Sequence, residues 1–264
     1  MLRQIVLCAM AGLTTLALKA QVKPIPYAHA HNDYEHPHPL MDALANGFTS
    51  VEADVYLING ELYVSHDTPA GRNKKRTLKA LYLKPLKKVI KTNDGQVYPG
   101  YHEPFYLMID IKSEPEATYA ELKEQLFAFR NILTSYLNED KKPGVVTVFL
   151  SGNRPIATVT AEQHRLVALD GRPADLGKNY TPSLMPVISD SYNNHFQWQG
   201  KGPMPKDEKK RLEALAQSTK AEGKLLRLWA SPENENVWRT LLEAGVGLIN
   251  TDELKRFMIF SQQW

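Results

Sequence analysis

Eight short apolar segments, rich in β-branched and aromatic residues, recur along this chain with helix-like stretches between them. They cover residues 25–30, 50–56, 105–111, 145–150, 166–169, 185–189, 224–229 and 247–250. Between them, residues 116–138 carry Leu122, Leu126, Phe129 and Leu133 at helical spacing. Residues 207–222 open on acidic side chains, as a helix N-terminus prefers. Ser231-Pro232-Glu233 places a capping residue before a first-turn proline, and Gly245 can close the helix that follows. Strands separated by crossovers make a parallel sheet, and eight of them suit a single closed (β/α)8 barrel of the TIM type. An open doubly wound sheet is the alternative. Residues 57–104 break the rhythm: "INGELYVSH" reads as a turn into a short strand, and the basic stretch 72–100 holds an interrupted helix at 78–91. This region is expected as an elaborated loop over the C-terminal face, where a barrel carries its functional residues.

The first twenty residues, MLRQIVLCAMAGLTTLALKA, stand apart from that pattern. Arg3, an apolar run over 5–18 and Ala20 before Gln21 form the pattern of a secretory signal. The run falls short of the roughly 20 residues that a spanning helix needs, so no stable membrane span is expected. Cys8 follows Leu7 rather than a small residue, which argues against a lipid anchor. The expected organisation is a signal peptide at 1–20, a barrel domain at 21–264, and export to the periplasm or the extracellular space. Cys8 is the single cysteine, so the mature chain has neither a disulfide nor thiol chemistry. Losing Arg3 and Lys19 takes the formal charge from +3 to +1, which gives no case for nucleic acid as a partner.

Ionisable residues gather at the strand ends. In "SVEADVY", Glu52 and Asp54 are two apart on one strand, so both face the same way with Cα atoms about 6.6 Å apart. Inside a barrel such a pair needs a cation or a proton to neutralise it; on an amphipathic edge strand it would simply face water. "FYLMIDIKS" ends its strand with Asp110 and, two residues on, Lys112. These two can form a strand-end salt bridge. If the second and third strands are neighbours, Asp110 instead completes a cluster with Glu52 and Asp54, and Lys112 faces whatever anion a bound metal holds. An all-carboxylate set suits one Mg2+ or Ca2+ better than zinc. His31 ends the first strand and His66 closes "LYVSHD" near the same rim. Two imidazoles beside a hard metal form an acid and base pair, because histidine titrates near neutrality. His29 shares the strand face of His31 as a supporting residue, whereas His36, His38, His102, His164 and His195 read as loop residues.

"HNDYEHPHPLMDALANGFTSVEADVY" followed by "LYVSHD" resembles the phospholipase C-like phosphodiesterase superfamily. That superfamily includes glycerophosphodiester phosphodiesterases, phosphatidylinositol-specific phospholipase C and sphingomyelinase D. The branch it most resembles is related to the fungal altered inheritance of mitochondria protein 6. "DIK", "LWASPEN" and "GVGLINTDEL" continue the likeness along the barrel. The resemblance implies a (β/α)8 barrel, a bound Mg2+ or Ca2+, and cleavage of a small-molecule or lipid phosphodiester. It casts Glu52, Asp54 and Asp110 as metal ligands and His31 and His66 as acid and base. It makes Lys112 similar to the lysine after the third ligand in the sphingomyelinase D branch, and Trp229 similar to an aromatic residue near substrate. Asn32 stands where glycerophosphodiesterases carry an arginine, which weakens a glycerol-specific reading and leaves Asn32 as a substrate contact. By position after their strands, Arg227 and Asn250 join the substrate-contact candidates, as do residues 151–154, 170–172 and 189–190. The aromatic loop at 192–205 reads either as a hydrophobic lip or as a segment packing Phe196 and Trp198 onto the barrel. Two functions stand open: a metal-dependent phosphodiesterase, and a catalytically silent barrel that binds phosphorylated ligands or glycans.

Overall fold

The computed structural model describes residues 22–264, so the expected signal peptide lies outside the described residues. Twelve strands form among them: β1 Ile25–Ala30, β2 Phe48–Ile58, β3 Glu61–Val64, β4 Phe105–Ile111, β5 Ser135–Leu137, β6 Asp140–Lys142, β7 Val146–Gly152, β8 His164–Arg165, β9 Val167–Gly171, β10 Val187–Ser191, β11 Leu225–Trp229 and β12 Leu248–Thr251. Eight of these, β1, β2, β4, β7, β9, β10, β11 and β12, overlap the eight segments expected from sequence and pair in parallel around a ring. β1 pairs back onto β2, with His29 opposite Ser50 and Ala30 opposite Val51, and this closure excludes the open sheet. Helices α1 Met41–Ala45, α2 Lys84–Thr92, α3 Pro115–Phe127, α4 Ile156–Ala161, α5 Lys206–Ala221, α6 Glu235–Glu243 and α7 Leu254–Ser261 complete the chain. The β9-to-β10 connection has only the 3-10 turn Pro173–Asp175.

Strand alternation sorts the side chains into two cores. Val51, Ala53 and Val55 of β2 face out into the apolar layer shared with the helices, beside Leu107, Ile109 and Ile111 of β4. Met108, Phe149, Ala168, Val187 and Leu248 fill the barrel interior as a separate cluster, with Tyr136 of β5 buried against it. Two residues further along these strands the interior turns polar, at Asp110, Ser151, Asp170, Ser189 and Asn250. The apolar layers thus support a polar mouth at the C-terminal strand ends.

Three local expectations are corrected. The helix expected over 116–138 ends at Phe127; turns follow, and Ser135–Leu137 form β5, which turns through Asn138 (φ +52°) into β6. Leu122 and Leu126 do share a buried helical face, but Leu133 is buried through a bridge to Val146, and Thr134 reaches Thr147 at 2.8 Å between hydroxyls. Period-two packing at the foot of the barrel therefore replaces the helical period. The region 57–104 is mostly wall rather than rim. β2 and β3 form a hairpin through Asn59 and Gly60, both at positive φ. A π turn, Lys79–Leu83, then leads into α2. Tyr82 donates to Asp33 near the mouth and Tyr98 to the carbonyl of Phe48 at the opposite end, so this stretch runs the height of the barrel as the crossover to β4. Finally, α6 is capped by Asn234, whose side chain accepts from the Val237 amide, rather than by Ser231. Glu233 instead accepts from the Thr251 hydroxyl and the Asp252 amide. Gly245 follows α6 at φ +89°. In the 192–205 loop, Phe196 and Trp198 are buried, and Glu208 accepts from the Gln197 and Trp198 amides. The loop is packed onto the barrel, not held open as a lip.

Candidate active site

β2 and β4 are neighbours, in a register that sets Asp54 directly opposite Asp110. Glu52 lies one inward position earlier, and one oxygen from each of the three carboxylates falls within 4.8 Å of the others. Lys112 Nζ is 3.1 Å from Asp54 Oδ2 and 3.2 Å from Asp110 Oδ1, so the lysine joins the cluster and partly offsets it. Asp54 Oδ1 is buried without a partner, Asp110 Oδ1 has only the Lys112 ammonium, and no hydrogen bond reaches Glu52 Oε1 among the described residues. A hard cation is the group that satisfies such a set, so the donors present fit Mg2+ or Ca2+.

Each carboxylate has its own electrostatic setting. Burial pushes Glu52 up, but the Arg227 guanidinium, followed by the adjacent His29 ring, outweighs burial and holds it well below the usual carboxylate range. Arg227 Nη2 donates to Glu52 Oε2 at 2.8 Å, and its Nε donates to Asn250 Oδ1 at 2.9 Å. Burial, then the charge on Glu52, raises Asp54 to about 6, against the pull of Lys112. Burial also raises Asp110, again opposed by Lys112.

The histidines flank this cluster. His31 Nδ1 is 2.9 Å from Asp252 Oδ1. An ionised carboxylate only accepts, so Nδ1 carries the proton and Nε2 is turned inward, 4.0 Å from Glu52 Oε2. Burial lowers the His31 pKa, but the Asp252 hydrogen bond and the Glu52 charge raise it overall. His66 Nδ1 lies 3.5 Å from Asp54 Oδ2 with its side chain largely exposed. Tyr34 joins the two sides: its hydroxyl is 2.7 Å from Asp54 Oδ2, 2.8 Å from Asn32 Oδ1 and 3.3 Å from His66 Nδ1. Asn32 adopts the left-handed conformation (φ +46°), which an asparagine tolerates and which bends the chain after His31 back across the mouth. His29 is fully buried, 2.6 Å from Ser50 Oγ and 3.5 Å from Glu52 Oε2, and burial followed by the Arg227 charge lowers it to about 4. It is a neutral support for Glu52. Of the loop histidines, His38 sits beside Asp42, His102 beside Gln96 and His195 beside Asp190.

The structure therefore brings His31, Asn32, Glu52, Asp54, His66, Asp110 and Lys112 together. Arg227 and Asn250, expected as substrate contacts, are buried beneath the mouth in a file that ends on Glu52. Trp229 is half-buried, with the Arg227 guanidinium 5.9 Å and that of Arg172 5.3 Å from its ring centroid. Tyr34 and Asp252 were missed from sequence. Tyr34 lies inside the opening motif, and Asp252 is the acid just after the last strand, which barrel closure brings beside the first.

Fold and site together define a phosphodiesterase-type (β/α)8 barrel. The chain belongs to the family of the AIM6-like phosphodiesterase domain, which matches residues 16–170. The altered inheritance of mitochondria protein 6 homolog of Arthroderma benhamiae is 32% identical over 263 residues, covering 88% of this chain and 82% of its own length. The altered inheritance of mitochondria protein 6 of Kluyveromyces lactis is 30% identical over 305 residues, covering 90% of this chain and 73% of its own. Among solved structures, a glycerophosphodiester phosphodiesterase from Agrobacterium tumefaciens matches with a TM-score of 0.50 at 16% identity, over 92% of this chain and 100% of that one. That likeness is one of fold. No helix among the described residues is long and apolar enough to cross a membrane.

Proposed function

We propose that this protein is a metal-dependent phosphodiesterase whose acid and base are His31 and His66. The observation that carries the reading is the three-carboxylate cluster, with Asp54 Oδ1 buried and unpartnered, set between an imidazole fixed by Asp252 and a second, exposed imidazole. Glu52, Asp54 and Asp110 would hold one Mg2+ or Ca2+, which supplies positive charge to a non-bridging phosphate oxygen as charge builds there. Lys112 adds a second cation beside the same oxygens. One histidine takes the proton of the attacking hydroxyl while the other gives a proton to the leaving alcohol. Asn32 lies between His31 and Tyr34 at the mouth, within reach of a bound phosphate group. The substrate class is a small-molecule or lipid phosphodiester, and the attacking hydroxyl is that of water or of the substrate itself. Residues 1–20 are proposed to direct export.

A second reading, a barrel that binds phosphorylated ligands without cleaving them, draws support from Lys112, which already offsets two of the three carboxylates. The deciding experiment is hydrolysis of a chromogenic phosphodiester by metal-stripped protein refilled with Mg2+ or Ca2+, alongside His31→Ala and His66→Ala. Activity restored by metal and lowered at least about a hundredfold by either substitution is expected for general acid–base catalysis. Metal binding without turnover, unchanged by both substitutions, moves the binding reading ahead.

A further inference from the structure

Across the mouth from Glu52, the ends of β7 and β9 carry two arginines that the proposed chemistry does not use. Arg172 Nη1 donates to Asp170 Oδ2 at 2.8 Å and to the Gly171 carbonyl at 2.9 Å. Its Nε and Nη2 have no partner among the described residues, and the guanidinium lies over Trp229. Arg154 makes a single 3.3 Å hydrogen bond, from Nη1 to the Gly152 carbonyl, and its Nε is buried with no partner. The acids around it are already engaged. Asp110 is held by Lys112, Asp170 by Arg172 and the hydroxyls of Ser151 and Ser189, and Asp175 by Lys178 and the Arg172 amide. Burial, and then the nearby Arg172 charge, lowers the Arg154 pKa against the pull of Asp170, Asp175 and Asp110, and none of these acids hydrogen-bonds the Arg154 guanidinium. Such an arrangement is costly until an anion joins it, and two guanidinium forks match the oxygens of a phosphate.

We propose that Arg154 and Arg172, beside the face of Trp229, form a second anion subsite that takes a phosphate monoester carried on the alcohol portion of the substrate. The substrate would then be a phosphodiester bearing an additional terminal phosphate. Arg227, bonded to Glu52 and lying over the same Trp229 ring, connects the subsite to the carboxylate cluster. Naming the substrate rests on the phosphodiesterase reading; the existence of the subsite does not.

The test begins with calorimetric titration of inorganic phosphate into the metal-free protein, comparing wild type with Arg154→Gln, Arg172→Gln and Lys112→Ala. Each arginine variant is expected to weaken phosphate binding about tenfold or more, the scale of a lost charge-assisted hydrogen bond, and by more than Lys112→Ala does. Thermal melts check folding, and Arg172→Lys, which keeps the charge but loses the fork, is expected to bind with intermediate affinity. No phosphate binding by wild type, or a loss confined to Lys112→Ala, overturns the subsite. A second arm compares two chromogenic diesters, with and without a terminal phosphate. The subsite predicts a lower KM for the phosphorylated diester in wild type, lost in both arginine variants, while turnover of the plain diester stays within about twofold. An equal KM for the two diesters in wild type overturns the substrate assignment. Failure to cleave either one sinks the phosphodiesterase reading and leaves the titration to decide the subsite.

Discussion

Glu52 is only 4% exposed, yet its surroundings keep it ionised. The interior accepts that charge because Arg227 donates to it at 2.8 Å and is itself held by Asn250. Removing one partner of a buried ion pair costs more than the pair contributes, because the other charge is left without compensation. Arg227→Met is therefore expected to lower stability by about 3–5 kcal/mol in urea unfolding, with Glu52→Gln added to it restoring part of the loss. An unchanged unfolding midpoint in the single variant would remove Arg227 from this role. The sequence marked both residues as strand-end polar groups, but it cast Arg227 as a contact for substrate. The carboxylate it pairs with in the fold is 175 residues away in the chain, and nothing in "LLRLW" points to it.

At the level of elements, the site depends on how closely β4 and β7 approach at their ends. Asp110 is opposite Ser151 and Ile111 opposite Gly152. A Cβ at Gly152 would collide with Asp110 Oδ1 and come within 2.5 Å of the Ile111 carbonyl, and the residue sits at φ +66°. Gly152→Ala should therefore cost about 1–3 kcal/mol through backbone strain and crowding. It should also weaken Mg2+ binding at least about tenfold, since Asp110 must move away from its partners. Calorimetric metal titration and urea melts read the two effects separately; normal metal affinity in this variant would mean that the cluster tolerates the shift. Element boundaries were less legible than element types. Leu122 and Leu126 show the helical period, but Phe129 and Leu133 extend it by coincidence into a segment that Tyr136 draws into the barrel foot as strand. Helical and alternating periods overlap over so few residues that only the packing partner separates them.

Across the whole molecule, the carboxylate cluster links metal binding to stability and pH. In the metal-free fold Asp54 is raised to about 6 from its ordinary 3.8, and burial raises Asp110 as well. An acid whose folded pKa is raised favours the fold while protonated. That contribution is complete below the unfolded pKa and is lost as pH rises through about 6. A divalent ion removes the need for the proton, so added Mg2+ should raise Tm more at about pH 7.5 than at about pH 5. Metal affinity should fall by up to about tenfold per pH unit below that pKa, one proton being displaced by each ion. Thermal melts at both pH values with and without Mg2+ check this; a shift independent of pH would mean that Asp54 does not titrate on binding. What the sequence determined by itself was local: eight strand segments, the inward and outward alternation along each, and the polar residues at their C-terminal ends, all of which follow from a two-residue period and flanking turn chemistry. Tertiary structure decided the rest, because it depends on which strands become neighbours. Closure of β1 onto β2 and β12 places Asp252 against His31 across 221 positions, and the β2–β4 register sets Asp54 opposite Asp110. Those pairings are set by the twist and packing of the complete ring, and no short stretch of the chain contains them.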